Sequence, residues 1–238
     1  MKFYESGDNR KPVIFLFPGT CCLYSSFDHV LDGLHSYFYT VAVSYDGFDP
    51  NEKTEFYSME DECEKIEQEI RTKYGGRIKA AYGCSLGGSF VSLLIQRKRI
   101  HIDHGIIGSS DMDEAGNLVA KIQASMVVPF MYKMIHTGAL PKFMQKKLNK
   151  TDEVKKELYN GFLNMFGIGK GGSPWITKQS VYNQFYSDLV TKVQHGIDVP
   201  GTTIHVFYAT KMGEKYEKRY QEFRQIYPAL KPVFPHIQ

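Results

Sequence analysis

Ser85 is the side chain best placed to do chemistry in this sequence. It lies in Gly83-Cys84-Ser85-Leu86-Gly87, a G-x-S-x-G pattern. The residues leading to it from Ile78 read as a short apolar strand, and Ser89 to Ile95 read as the buried start of a helix. A serine held in a sharp turn between strand and helix leaves no room for a Cβ two residues before or after it, which accounts for both glycines. Its hydroxyl then projects into solvent, with the N-terminus of the following helix aimed at whatever it attacks. The chemistry expected of such a residue is nucleophilic attack on an acyl carbon. The plain alternative is a glycine-rich strand-to-helix connection with a bystander serine, and it is the surrounding strand, turn and helix that favour the nucleophile.

The elements that must position this serine alternate along the chain. Pro12 to Phe17 is a continuous apolar run of the kind buried on both faces of a parallel sheet, and it ends in Pro18-Gly19-Thr20. Ser25 or Ser26 is a candidate cap for a helix with Phe27, Val30, Leu31 and Leu34 on one face. Tyr37 to Ser44 predicts a second strand. Ser58 to Tyr74 predicts a charged helix stopped by Gly75-Gly76, with Met59, Cys63, Ile66 and Ile70 on one side and an acidic run read as a solvated face. Ile102 to Ser110 supplies a further strand. Alternation of this kind implies parallel strands joined by crossover helices, an α/β three-layer sandwich around a mostly parallel central sheet.

From residue 113 to 200 helical stretches follow one another without a convincing strand, and this reads as an inserted helical cap within a single domain spanning 1–238. The glycine cluster Gly167-Ile168-Gly169-Lys170-Gly171-Gly172 lacks the spacing and preceding strand of a phosphate loop and reads as a flexible hinge. Trp175 could line a channel or pack in the core. Thr202 to Thr210 returns to a strand pattern that contains His205 as a core or sheet residue. Lys215 to Ile226 predicts a charged helix, and Leu230 to His236, with two prolines, a poor last strand.

Composition narrows the function classes. Hydrophobic residues at 42% and charged residues at 23% are ordinary for a globular protein, and a net charge of +3 gives no nucleic-acid footprint. The 14% aromatic content suits a greasy pocket or an ordinary core equally. Cysteines 21, 22, 63 and 84 have no zinc or disulfide-framework spacing and read as reduced thiols of a cytoplasmic protein. No histidine pair has metal-ligand spacing. The N-terminus shows no leader, no run of about 18 apolar residues suggests a membrane span, and the sequon Asn149-Lys150-Thr151 is discounted on that basis.

Taken together, the order of features resembles the α/β-hydrolase superfamily over essentially the whole chain. The resemblance rests on the Gly83 to Gly87 elbow, the apolar strand ending Phe17-Pro18-Gly19-Thr20, the cap-sized insertion and the closing strand-helix-strand segment. It implies a Ser-acid-His triad in that chain order, with an oxyanion hole built from backbone N–H groups. Carried over by position, Ser85 is the nucleophile and Leu86 N–H the first oxyanion donor. Thr20 N–H is the second, with Cys21 next in line. The acid is divided between Glu214, after the next-to-last strand, and Asp111, after the strand before it, with Asp113 behind them. A base that takes the serine proton and returns it to the leaving group suits a histidine. By chain order it is His236, or else a histidine beyond Gln238.

The resemblance implies a cofactor-free serine hydrolase acting on a small-molecule ester or related acyl compound, with no nucleic-acid partner. A catalytically impaired hydrolase-fold protein that binds a small molecule or partner through the cap is the alternative from another class. A cofactor-free perhydrolase or haloperoxidase would use the same triad. The sequence leaves the oligomeric state open.

Overall fold

The structure, a computed structural model, describes residues 1–110, 114–150, 153–169, 171–194 and 196–207. The apolar run before Pro18 forms β2 (Val13–Phe17), whose side chains alternate between the two faces of the sheet. Phe15 and Phe17 join the larger core, whereas Ile14 and Leu16 join a smaller one on the other side. β3 (Tyr39–Ser44), β4 (Arg77–Cys84), β5 (His101–Gly108) and β6 (Thr203–Phe207) complete the parallel part of the sheet. β1 (Lys2–Ser6) pairs with β3 in the antiparallel sense, and the strand order is β1-β3-β2-β4-β5-β6. The expected α/β architecture with a mostly parallel sheet is therefore present. β1 was not read from the sequence, because five residues of mixed character at a sheet edge carry little apolar signal.

Helices cover both faces. α1 (Asp28–His35) follows a short 3-10 turn at Tyr24–Phe27, and Phe27, not a serine, occupies its N-terminal boundary without a side-chain cap. α2 (Met59–Tyr74) is capped by Ser58, whose Oγ accepts the Asp61 N–H at 3.1 Å. Met59, Cys63, Ile66 and Ile70 are fully buried as their spacing requires. The acidic run beside them is not simply solvated: Glu62 and Glu67 are both 0% exposed. Glu67 is held by Arg97 Nε at 2.5 Å, and Glu62 accepts from Lys65 Nζ at 2.8 Å and from Asp46 N–H at 3.0 Å. Each buried carboxylate has a long cation on a neighbouring turn or helix, a partner that helical periodicity does not reveal.

Between β5 and β6 lie α4 (Asn117–Thr137), α5 (Lys142–Leu148), α6 (Glu153–Asn164) and α7 (Lys178–Val190). By length and composition α4 is apolar enough to cross a membrane, although Lys121, Gln123, Ser125 and Lys133 interrupt its apolar residues. The glycine cluster is not a free hinge. Gly169 N–H bonds Gly138 O at 2.9 Å and Ser173 N–H bonds Ile135 O at 2.7 Å. A Cβ on Gly138 would lie 2.2 Å from Gly172 N, so glycine is required where these two backbones meet. Trp175 is partly exposed, and its indole N–H donates to Phe48 O at 3.4 Å. His205 is an exposed residue of β6, 3.3 Å from His104 Nδ1 on β5, and not part of the core.

Candidate active site

β4 ends at Cys84 and α3 (Leu86–Arg97) begins two residues later, which leaves Ser85 alone in the turn. Ser85 has φ +54° and ψ −125°, a conformation that L-residues other than glycine rarely adopt. Its N–H donates to Gly108 O at 2.9 Å, continuing the ladder to β5, and its carbonyl accepts Gly88 N–H at 2.8 Å, starting α3. The two flanking glycines are needed for contact. A Cβ on Gly83 would lie 2.0 Å from Gly87 O, and one on Gly87 would lie 2.1 Å from Phe17 O. Such separations exclude any larger residue without moving backbone. Ser85 is solvent-exposed while the next residue, Leu86, is 0% exposed.

The same packing brings the turn after β2 alongside. Phe17 pairs with Gly83 in the sheet, and a Cβ on Gly19 would lie 3.6 Å from Ser85 Cβ. Tyr45, buried in the core, donates its hydroxyl to Pro18 O at 3.2 Å and Cys22 N–H bonds Gly19 O at 3.0 Å, so the turn is fixed from both ends. Leu86, as the first residue of α3, has an amide hydrogen that the helix leaves unbonded. Thr20 N–H meets no acceptor among the described residues. Cys21, the other candidate for the second donor, differs: its N–H is taken by Gln184 Oε1 at 2.6 Å. Among the described residues Thr20 N–H, next to the Gly19 that packs against Ser85, has no acceptor, whereas Cys21 N–H is committed to Gln184.

Gln184 was not anticipated from the sequence, and no motif marks it. It lies on α7, fully buried, and its Nε2 has no partner among the described residues. The same helix holds the region around α2 through three further contacts. Ser180 Oγ accepts Phe56 N–H at 3.2 Å, Ser187 Oγ accepts Met59 N–H at 2.8 Å, and Asn183 donates to Phe56 O at 2.8 Å. The thiols nearby do not compete as nucleophiles. Burial pushes Cys21 and Cys84 up and Cys22 up to about 12, which keeps all three protonated near neutrality.

The remaining candidates, Asp111, Asp113, Glu214 and His236, lie outside the described residues. β5, which precedes Asp111 and Asp113 in sequence, and β6, which precedes Glu214, run side by side next to the end of β4. Cys84 pairs with Gly108 and Gly108 with Phe207, and Ser109 N–H bonds Phe207 O at 2.9 Å. Ser110, immediately before Asp111, has its Oγ 3.3 Å from Ser89 Oγ in the first turn of α3. Ligand sites of open parallel sheets gather at this carboxyl edge of the strands. Among the described residues Ser85 Oγ has no hydrogen-bond partner, and no group of three metal-ligating side chains occurs. A cleft of about 620 Å³ between the α4–α5 turn and α6 is lined by Leu140, Gln145, Leu163 and Ile168 and includes neither Ser85 nor Thr20.

No protein-family model and no curated protein matches this chain. Solved structures do. An esterase from Thermogutta terrifontis superposes with a TM-score of 0.62 at 12% identity, over 94% of this chain and 92% of its own. MenH from S. aureus gives 0.62 at 10%, over 94% and 97%. The enol-lactonase of Burkholderia xenovorans LB400 gives 0.59 at 12%, over 94% and 96%. Identities this low speak to architecture alone, and what they share with this chain is the α/β-hydrolase fold.

Proposed function

We propose that the protein is a serine hydrolase that cleaves an ester or related acyl compound through an acyl-enzyme on Ser85. The observation that carries this reading is the exposed Ser85, held at φ +54° between β4 and α3 where the Gly19 turn packs against it. Ser85 Oγ attacks the acyl carbon while His236 takes its proton, and the carbonyl oxygen becomes an oxyanion received by the Thr20 and Leu86 N–H groups. The alcohol leaves with that proton. Water, deprotonated by the same histidine, then attacks the acyl carbon and releases the acid with Ser85 restored. Asp111 or Glu214 orients the histidine, and the helical segment 113–200 acts as a cap that shapes the acyl and alcohol sites. The structural neighbours, an esterase and a lactonase among them, support hydrolysis and leave the substrate open. A small ester as substrate, the absence of a cofactor and a cytoplasmic location complete the proposal.

The test is covalent labelling with a fluorophosphonate probe, followed by peptide mapping. A single adduct on Ser85 that disappears in Ser85→Ala, together with p-nitrophenyl ester hydrolysis lost in the same variant, supports the reading. Folded full-length protein that takes no label would overturn it in favour of a binding protein on a hydrolase fold.

A further inference from the structure

Helix α4 has two apolar sides, and the protein covers one of them. Ala120, Ala124, Val128 and Ile135 are buried. At about 100° per residue, Leu118, Ile122, Met126 and Phe130 succeed one another along the opposite side at four-residue spacing. They face solvent: Leu118 is 72% exposed, Ile122 53% and Met126 75%. On α5, Phe143 is exposed as well. Soluble monomers rarely leave a continuous apolar strip of this kind uncovered, and such strips mark surfaces of interaction.

The charge around the strip identifies what it fits. Between Asn117 and Lys150 the sequence has six lysines and no aspartate or glutamate. Lys121 and Lys133 of α4 and Lys142 and Lys146 of α5 are exposed. The excess ends at α6, where Glu153 and Glu157 match Lys155 and Lys156 in number. A second copy docked about a two-fold axis would set this lysine-rich face against itself, like charge upon like charge. A bilayer with anionic headgroups offers the opposite: an apolar interior for the strip and negative charge for the lysines. Although α4 is long enough to span, its other side is already packed on the fold, so the arrangement that keeps both contacts has α4 lying in the plane of the interface.

We infer that α4 and α5 form a docking face for anionic lipid membranes, with Leu118, Ile122, Met126 and Phe130 inserted at headgroup level and the lysines around them. This holds whether or not Ser85 is a nucleophile, since the test reads binding. Flotation with vesicles of phosphatidylcholine alone, or with about one-third phosphatidylserine, is the experiment. Wild-type protein should partition at least tenfold more strongly onto the anionic vesicles and be released by about 0.5 M salt, which shortens the range of the lysine attraction. Ile122→Glu/Met126→Glu should lower partitioning by about tenfold or more, and Lys121→Glu/Lys133→Glu by a similar factor. All four positions are exposed, and circular dichroism with thermal melting verifies that each variant is folded. Equal binding to both vesicle types, no binding, or wild-type binding by both variants would overturn the inference. So would a wild-type dimer in sedimentation equilibrium that Ile122→Glu/Met126→Glu converts to monomer, since the strip would then serve a second copy.

Discussion

Replacing Gln184 by methionine should slow the reaction without touching substrate. Gln184 Oε1 takes the Cys21 N–H at 2.6 Å across 163 residues of sequence, and Cys21 is itself held at φ +60°. A non-glycine residue in that region is strained by about 1–3 kcal/mol and stays there only where its surroundings demand it. Methionine approximates glutamine in volume and offers no comparable acceptor, so Cys21 N–H would be left buried and unbonded at a cost of about 1–3 kcal/mol. The net loss of stability should fall near the lower end, at about 1 kcal/mol, because the Gln184 Nε2 that disappears has no partner among the described residues. Relaxation of Cys21 rotates the peptide next to Thr20 and misdirects its N–H. Complete loss of one oxyanion donor costs about 100- to 1,000-fold in kcat, so a misdirected donor should cost about ten- to a hundredfold. The donor acts on the charge that develops during reaction, and KM should move by less than about twofold. Steady-state hydrolysis of p-nitrophenyl acetate separates the two constants. Gln184→Glu retains an oxygen acceptor and should recover most of kcat. A folded Gln184→Met enzyme with wild-type kcat, or a Gln184→Glu enzyme as slow as Gln184→Met, would refute the link from α7 to the oxyanion turn.

Three further outcomes test other parts of the molecule. Ser85→Gly should raise stability by about 1 kcal/mol by relieving the φ +54° strain while abolishing probe labelling; a lower melting temperature would show that the turn is not strained. Burial pushes the Glu62 carboxyl up to about 7 from its ordinary 4.5. The unfolded chain therefore ionises this group first, and stability relative to Glu62→Gln should fall as pH rises from 4.5 to 7, by at most about 3 kcal/mol; parallel urea-melt profiles for the two proteins would contradict this. Arg97→Leu leaves Glu67, 0% exposed, with only the more distant Arg99 at 3.5 Å among the described residues, and should cost about 3 kcal/mol. Glu67→Leu/Arg97→Leu should regain most of that in chemical denaturation, and a double variant no more stable than the single one would rule out uncompensated charge as the cause.

The sequence by itself determined the parts that local chemistry dictates. Val13 to Phe17 is apolar at every position because both faces of β2 are covered, and the five residues from Gly83 to Gly87 announce their turn because a Cβ at either glycine would lie about 2 Å from neighbouring backbone. The period of the buried Met59, Cys63, Ile66 and Ile70 and the Gly75-Gly76 stop marked out α2 from the sequence, while the structure supplies Ser58 as its cap. The tertiary structure alone decided what depends on partners distant in sequence. Glu62 and Glu67 looked like solvated charge until Lys65, Asp46 and Arg97 were seen to enclose them. Position alone ranks Thr20 ahead of Cys21 as an oxyanion donor, and only the fold brings Gln184, on a helix with no motif, onto the Cys21 N–H. The difference is physical. A turn or a helical face is dictated by sterics and spacing within a few residues, whereas a buried hydrogen bond between two distant positions depends on where the whole chain has placed them.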